Sequence, residues 1–348
     1  MRSHQAEVGD RHACDAIIDA RSPSEFALDH IPGAINLPVL DDAERAIVGT
    51  LYAQESAFEG RRVGAGLVAA NLARHLGGYL ADKPKGWRPL VYCWRGGLRS
   101  GVMVYWLRQV GWDAHQLVGG YKRWRGHVIE RIETLSPRLP LTVIAGPTGS
   151  AKTRVLQALE RHGAQVLDLE ACASHKGSVL GALPGVAQPS QKGFETRIAE
   201  VLKRLDPARP VFVEAESRKI GQLAVPLPLL ARLRASPVIE IDAAPPQRLA
   251  YLLRDYAYLG SDRPALAASL ARLRELHSNA TIARWQGWAE AGALPVLFEE
   301  LVRLHYDPLY ARSQRTHFFA WDQRRRVAAG HLDDDGIDAL AQRILAAS

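Results

Sequence analysis

The stretch that most constrains the fold is Pro89-Leu90-Val91-Tyr92-Cys93-Trp94-Arg95-Gly96-Gly97-Leu98-Arg99-Ser100. An apolar run delivers a lone cysteine into a loop with two glycines and two arginines, and a helical pattern follows from Gly101 to Val110. Strand, tight loop and helix in that order belong to a parallel α/β sheet, whose chemistry sits at the carboxyl ends of the strands. Amide hydrogens of such a loop, and of the first turn of the helix behind it, converge on the cysteine as an anion-binding nest. With Arg95 and Arg99 beside it, Cys93 reads as a nucleophile held in its anionic form. The alternative is a buried packing cysteine, which needs neither the glycines nor the arginines.

Upstream, Ala16-Ile17-Ile18-Asp19-Ala20-Arg21 is a short strand ending in an acid and a base. Ser22-Pro23-Ser24-Glu25 then opens a helix. Ile18-Asp19-Ala20-Arg21 with Glu25-Phe26, His30-Ile31-Pro32-Gly33-Ala34-Ile35-Asn36 and Leu117-Val118-Gly119-Gly120-Tyr121-Lys122-Arg123-Trp124 resemble, in that order, the rhodanese family. The resemblance implies that Cys93 carries a transferable chalcogen atom. Five residues separate Cys93 from Arg99, a C-x5-R spacing that also resembles phosphatases of the same fold and suits a tetrahedral oxyanion. Asp41 to Tyr52 has helical spacing with a mixed-charge face, either a surface insertion or a wall of the Cys93 site. Of the tryptophans in this half, only Trp94 lies in the loop, where it is placed to stack on a base.

A proline-punctuated junction, Ser136 to Pro140, separates an expected first domain over residues 1–136 from a second over 137–348. The second opens with the strand Leu141-Thr142-Val143-Ile144-Ala145. Gly146-Pro147-Thr148-Gly149-Ser150-Ala151-Lys152-Thr153 follows and leads into a helix through Arg161. This resembles the Walker A loop, with Gly146, Thr148, Gly149 and Ser150 cradling phosphates, Lys152 adding a charge and the Thr153 hydroxyl available to Mg²⁺. Ala151 stands where the last glycine belongs, and its methyl group is tolerable if the residue has helical dihedrals. Val211-Phe212-Val213-Glu214 ends in a Walker B-like carboxylate, Glu214, which either serves Mg²⁺ and water or pairs with Arg218 or Lys219. Arg248 and Arg254 are candidates to reach phosphates from a helix. Leu223 to Leu233 is apolar enough to line a channel or to be core. From Leu266 to His305, arginines interspersed with Trp285 and Trp288 suggest a surface for single-stranded RNA or an ordinary helical pair. Arg324-Arg325-Arg326 marks a basic tail, and Asp335 to Ala347 has the spacing of a last amphipathic helix.

The expected fold class is therefore α/β: a rhodanese-like parallel-sheet domain, then a P-loop NTPase-like α/β domain with a helical C-terminal part. That pairing resembles the tRNA 2-selenouridine synthase family along essentially the whole chain. Shared segments include Glu44 to Tyr52, Gln188 to Glu195 and Glu214 to Gly221. The resemblance implies replacement of sulfur by selenium in 2-thiouridine at the tRNA wobble position. Selenophosphate donates the selenium after geranyl diphosphate has alkylated the sulfur. It further implies a selenylated Cys93 served by Arg95, Gly96, Gly97 and Arg99. The P-loop would hold a diphosphate, with no tightly bound cofactor and no certain metal site, Mg²⁺ remaining a candidate. tRNA is the expected partner, and the enzyme that makes selenophosphate is a second candidate. A net charge of +7 agrees with a polyanionic partner. Three scattered cysteines, no apolar leader and no run long enough to span a bilayer lead to the expectation of a cytoplasmic protein without membrane contact. Two other functions share the motifs. One is a rhodanese-fold phosphatase or sulfurtransferase fused to a small-molecule kinase; the other is a non-catalytic RNA-binding module.

Overall fold

A computed structural model describes residues 4–178 and 180–346 of the chain. It divides into two units, Met1–Glu130 and Arg131–Ser348. In the first, β1 (Gln5–Ala6), β2 (Ala16–Asp19), β3 (Ala34–Asn36), β4 (Pro89–Tyr92) and β5 (His115–Leu117) form a sheet in the order β1-β5-β4-β2-β3, every pair parallel. All four residues of the central strand β4 are buried, so it reads as a continuous apolar run rather than an alternating one. Five helices accompany the sheet: α1 (Pro23–Leu28), α2 (Asp42–Gln54), α3 (Ala57–Gly77), α4 (Leu98–Val110) and α5 (Gly120–Leu135), which crosses the division between the units. Local chemistry sets their ends. Asp41 and Glu44 form a capping box that starts α2, and Gly111 ends α4 in the left-handed conformation. Ile18, Val91, Met103, Leu107, Leu72 and Trp87 make the core.

In the second unit, β6 (Leu141–Ala145), β7 (Gln165–Leu167), β8 (Val211–Glu214), β11 (Val238–Asp242) and β12 (Arg325–Ala328) form a parallel sheet ordered β12-β11-β6-β8-β7. A small antiparallel pair, β9 (Lys219–Ile220) and β10 (Leu223–Ala224), lies outside it. The helices associated with this sheet are α6 (Lys152–Arg161), α7 (Leu169–Ala173), α8 (Gln191–Leu202), α9 (Leu227–Arg234), α10 (Pro245–Asp255) and α15 (Asp334–Leu345). A helical part, α11 (Arg263–Ala271), α12 (Asn279–Ala291), α13 (Leu294–Leu301) and α14 (Asp307–His317), has its own core around Trp285, Leu270 and Phe298.

The structure decides between the alternatives at two segments and corrects two others. Leu223 to Leu233 is no channel wall: Leu229, Leu230 and Leu233 are core residues of α9. Trp285 is fully buried and donates from Nε1 to Glu300 Oε2 at 2.6 Å, while Arg284 and Arg303 pair with the same carboxylate. The helical part therefore does not present Trp285 to RNA. The basic tail is partly an edge strand. Arg324 pairs with Glu240 at 2.6 Å and Arg326 with Asp242 at 3.0 Å, because parallel pairing of β12 with β11 brings these charges together. The last helix ends at Leu345, and Ala347 lies outside the described residues. Among the described residues no helix is long and apolar enough to cross a membrane.

Candidate functional site

In the first unit, β4 ends at Tyr92 and α4 starts at Leu98, so Cys93 to Gly97 must turn sharply. Three residues hold the turn in place. The amides of Tyr121 and Lys122 donate to the carbonyls of Cys93 and Trp94 at 2.8 and 2.9 Å. The Gln116 side-chain amide donates to Gly96 O at 2.8 Å, Gly97 O at 3.0 Å and Ser100 Oγ at 2.8 Å. Glycine is required by approach as well as by dihedral. Gly96 has φ +66° and a Cβ there would lie 2.7 Å from Leu117 O, while a Cβ on Gly120, at φ +56°, would overlap the Cys93 carbonyl.

Cys93 lies at the base of this loop, 3 % exposed. Ser100, also buried, donates its hydroxyl to the Cys93 sulfur at 3.1 Å. No side chain caps α4, which leaves its first-turn amides available to an anion in the loop. Arg95 and Gly97 are exposed and Gly96 partly so. Arg99 is half-buried and turned toward α1, where it donates to Glu25 Oε2 at 2.8 Å; Arg45 of α2 reaches the same oxygen at 3.2 Å. Burial works to raise the Glu25 pKa, but the hydrogen bond and charge of Arg99, with Arg45, hold it below the usual carboxylate range. Helix α2 is thus joined to the loop's arginine through Glu25.

Behind the loop, buried Arg21 pairs with Asp19 at 2.6 Å, donates to Asp29 O at 2.7 Å and stacks 3.9 Å over the Tyr121 ring. Tyr121 in turn donates to Asp29 Oδ2 at 2.7 Å. This network fixes the ends of β2 and α5 against which the cysteine loop is built. Trp94 is 36 % exposed, with its ring 5.4 Å from that of Tyr121.

In the second unit, β6 leads into Gly146 to Ala151 and α6 begins at Lys152. The Lys152 ammonium folds back over the loop to Gly146 O at 2.8 Å, and Thr153 Oγ1 donates to Glu170 Oε2 at 2.7 Å. Gly149 has φ +86°, with the Arg248 carbonyl 2.8 Å from where a Cβ would stand. Thr148 and Ser150 complete the loop, and Ser150 is fully buried with no partner for its hydroxyl among the described residues. Arg248 does not swing freely over phosphates. Its guanidinium donates to Thr148 O at 3.2 Å and twice to Asp307, at 2.8 and 2.7 Å, clamping the P-loop to α14. Arg254 instead donates to Leu332 O.

Glu214 is buried at the end of β8. One carboxylate oxygen accepts from the Glu170 amide at 2.7 Å, and the other has no hydrogen-bond partner among the described residues, so it pairs with neither Arg218 nor Lys219. Burial, then the neighbouring carboxylates of Asp168, Glu170 and Glu216, raise its pKa well above the ordinary value. Burial raises Glu216 likewise, and it lowers Lys152 against the pull of Glu170, Glu216 and Glu214. These oxygens and the Thr153 hydroxyl are hard donors of the kind Mg²⁺ takes. Among the described residues no group of three or more His, Cys, Asp or Glu side chains is arranged to hold a metal unaided.

A cavity of about 580 Å³ lies over this loop. Lys152, Thr153, Glu170 and Glu216 line it together with Tyr256, Tyr306, Leu309 and Tyr310. Sequence reasoning missed Glu170, Lys176, Asp307 and, beside Cys93, Ser100 and Gln116. Only Glu170 carries a local signal, since Gln165-Val166-Leu167-Asp168-Leu169-Glu170 is a short strand ending in acids.

Ala151 departs from expectation: its dihedrals are left-handed, φ 60° and ψ 27°, not helical. That conformation costs an L-residue about 1–2 kcal/mol. The methyl group is buried in the unit's core, which returns about 0.8 kcal/mol, and glycine would cost about 0.5–1 kcal/mol more chain entropy. Ala151→Gly should accordingly change stability by less than about 0.5 kcal/mol, whereas β-branched Ala151→Val should lose roughly 2 kcal/mol or more. Urea midpoints of the two variants would check this; stabilisation by glycine well beyond that range would mean the methyl group packs poorly.

Residues 4–127 match the rhodanese-like domain family, and residues 139–265 match the family described as the tRNA 2-selenouridine synthase AAA domain. The chain is 34 % identical to the tRNA 2-selenouridine synthase of Nitrosomonas europaea over 89 % of its own length and 90 % of that protein. It is 34 % identical to the synthase of Bdellovibrio bacteriovorus, over 86 % and 89 % of the two chains. Against that of Cupriavidus necator it is 36 % identical, again over 86 % and 89 %. With relatives of this identity along most of its length, and with both domain families matched in one chain, the protein belongs to the tRNA 2-selenouridine synthase family of tRNA-modifying transferases.

Proposed function

We propose that this enzyme converts 2-thiouridine at the tRNA wobble position to 2-selenouridine in two steps, divided between its two loops. In the first, the P-loop holds the diphosphate of geranyl diphosphate while the thiocarbonyl sulfur displaces it and becomes a thioether. Gly146, Thr148, Gly149 and Ser150 form the phosphate cradle, Lys152 meets the charge that develops on the leaving diphosphate, and Thr153 with Glu214 serves Mg²⁺. In the second, the Cys93 thiolate takes the phosphoryl group of selenophosphate and releases selenide, which attacks the alkylated ring carbon; geranyl thiolate leaves, and water then clears the phosphoryl group from Cys93 as phosphate. The amides of Gly96, Gly97 and the start of α4, with Arg95, stabilise the anion in the loop. Arg99 is held close by Glu25. Alkylation makes the order necessary, because it turns a poor leaving group into a good one and makes the ring carbon electrophilic.

The observation that carries this reading is the cavity over the P-loop. Its lining combines a lysine, a threonine and carboxylates with tyrosines and a leucine, which suits a diphosphate bearing a hydrocarbon tail. The test is mass analysis of tRNA nucleosides after the protein is given geranyl diphosphate and selenophosphate separately and together. Geranyl diphosphate alone should yield S-geranyl-2-thiouridine, and both together 2-selenouridine. Selenouridine formed from unalkylated tRNA and selenophosphate alone would sink the proposed order. The enzyme that makes selenophosphate is the natural supplying partner, and tRNA the substrate, with the net charge of +7 favouring its backbone.

A further inference from the structure

S-alkylation of 2-thiouridine is also a proton transfer. The sulfur bonds to the first carbon of the prenyl chain, and that carbon's bond to the diphosphate oxygen breaks with both electrons leaving on the diphosphate. At the same time the C2–S double bond becomes single, a double bond forms between N3 and C2, and the proton on N3 goes to a base. The P-loop cannot be that base, because it offers amide hydrogens and Lys152 is itself a donor, to Gly146 O at 2.8 Å.

His305 meets the requirement. It is 3 % exposed and lines the cavity over the P-loop together with Lys152. Its Nδ1 shares a hydrogen bond with Nε2 of His277 at 3.0 Å, while its own Nε2 has no hydrogen-bond partner among the described residues. Burial, then the neighbouring His277, lowers the His305 pKa to about 4, so the ring is neutral at physiological pH. A neutral imidazole has one N–H and one lone pair; when Nδ1–H donates to His277, the lone pair is on Nε2.

The surroundings hold the ring in place. Val302–Tyr306 is a single π-helical turn between α13 and α14, a distortion found mostly at functional sites. From there one face of the helix, His305, Tyr306, Leu309 and Tyr310, lines the cavity. His277 stands edge-on to the Trp285 ring, centroids 4.7 Å apart, and Trp285 is fixed in turn by its hydrogen bond to Glu300. Other acceptors on the cavity wall are engaged: Glu170 accepts from Thr153 at 2.7 Å and Asp255 pairs with Lys176 at 2.6 Å. Glu216 is the rival base.

We infer that His305 is the general base of the alkylation step, taking the N3 proton on Nε2 while His277 positions the ring by accepting the hydrogen bond from Nδ1. The inference rests on the alkylation-first reading and supplies its proton acceptor. A weak base is sufficient, because N3–H becomes strongly acidic as the C–S bond forms, and the departing diphosphate leaves negative charge in the cavity that favours the imidazolium. The proton passes to solvent when the products leave.

The test uses the full chain, geranyl diphosphate and anticodon stem-loop RNAs carrying 2-thiouridine or 5-fluoro-2-thiouridine, whose N3–H is more acidic. Single-turnover formation of the S-geranyl nucleoside is read by mass analysis. His305→Gln keeps a polar side chain without its basicity, and should alkylate the 2-thiouridine RNA about 10²-fold more slowly than the wild type. On the fluorinated RNA that deficit should shrink about fivefold, since the proton needs less help to leave. His277→Leu should show a smaller deficit that shrinks in the same way, whereas a loss of packing alone would be equal on both RNAs. Should His305→Gln fail to fold, His305→Ala with added imidazole replaces it, and the imidazole should raise the rate about tenfold. A His305→Gln rate within about threefold of wild type would overturn the inference. So would a deficit of equal size on the two RNAs, or a folded His305→Ala that imidazole leaves unchanged. A shrinking deficit in Glu216→Gln alongside any of these would assign the proton to that carboxylate instead. If the wild type makes no S-geranyl nucleoside, the alkylation-first reading falls and takes the role of His305 with it; if both wild type and His305→Gln make it equally fast, only that role is lost.

Discussion

Cys93→Ala is expected to lower selenouridine formation at least about 10³-fold, roughly 4 kcal/mol of barrier, while alkylation of the same tRNA by geranyl diphosphate continues. The asymmetry follows from placement. Cys93 lies at the base of its loop, with Ser100 donating to its sulfur and the uncapped start of α4 behind it. Without the sulfur no thiolate at the base of the loop takes the phosphoryl group of selenophosphate, so selenide is not released there. The P-loop belongs to a separate sheet with its own core, which the substitution does not touch. Alanine is close in volume to cysteine, so the unit should fold. Nucleoside chromatography after incubation with both donors reads the outcome: S-geranyl-2-thiouridine should accumulate in place of the selenium product. Equal loss of both steps would remove the division of labour between the loops. Hydrolysis of a phenyl phosphate that vanishes with Cys93 would favour the phosphatase chemistry that the C-x5-R spacing also allows.

Both loops were legible in the sequence because each is contiguous: the strand, the glycines and the helix that build it lie within about a dozen residues. The parallel sheets followed from the same alternation of short apolar strands and helices. What the sequence hid lies at long separations. Glu170 reaches the P-loop because β7 and β6 both pair with β8, and Asp307 clamps Arg248 from a helix 59 residues away. Composition misled where arginines and tryptophans alternate. Trp285 looked available to stack on bases, yet its ring fills the helical core and the arginines around it are matched by Glu300. The apolar Leu223 to Leu233 segment illustrates the same limit, since periodicity cannot tell a channel wall from core, and here it is core.

Lys152→Met should reduce alkylation about 10²-fold or more, the scale of about 2.7–4 kcal/mol for removing one donor from a developing anion, and should spare selenation of RNA that is already alkylated. It should also change how stability depends on pH. In the native site Glu214 and Glu216 have pKa values raised by burial and by the neighbouring carboxylates of Glu170 and Asp168, so the unfolded chain binds fewer protons than the folded one between the ordinary carboxylate value and the raised ones. Stability therefore falls as pH rises through that window. Lys152 opposes this. Its pKa is lowered by burial, so from the lowered value up to the ordinary lysine value the unfolded chain binds more protons and stability rises with pH. The ammonium also attracts the carboxylates' charges and limits how far their pKa values climb. With methionine in its place the opposing slope disappears and the carboxylates hold their protons to higher pH. Urea unfolding near pH 6 and near pH 9 should show the variant losing more stability than the wild type over that interval. Parallel profiles would mean that the lysine and the carboxylates do not share one electrostatic site. In that case the diphosphate would meet repulsion from Glu170 and Glu216 with no fixed cation to offset it, and phosphate binding by the P-loop would depend on Mg²⁺ alone.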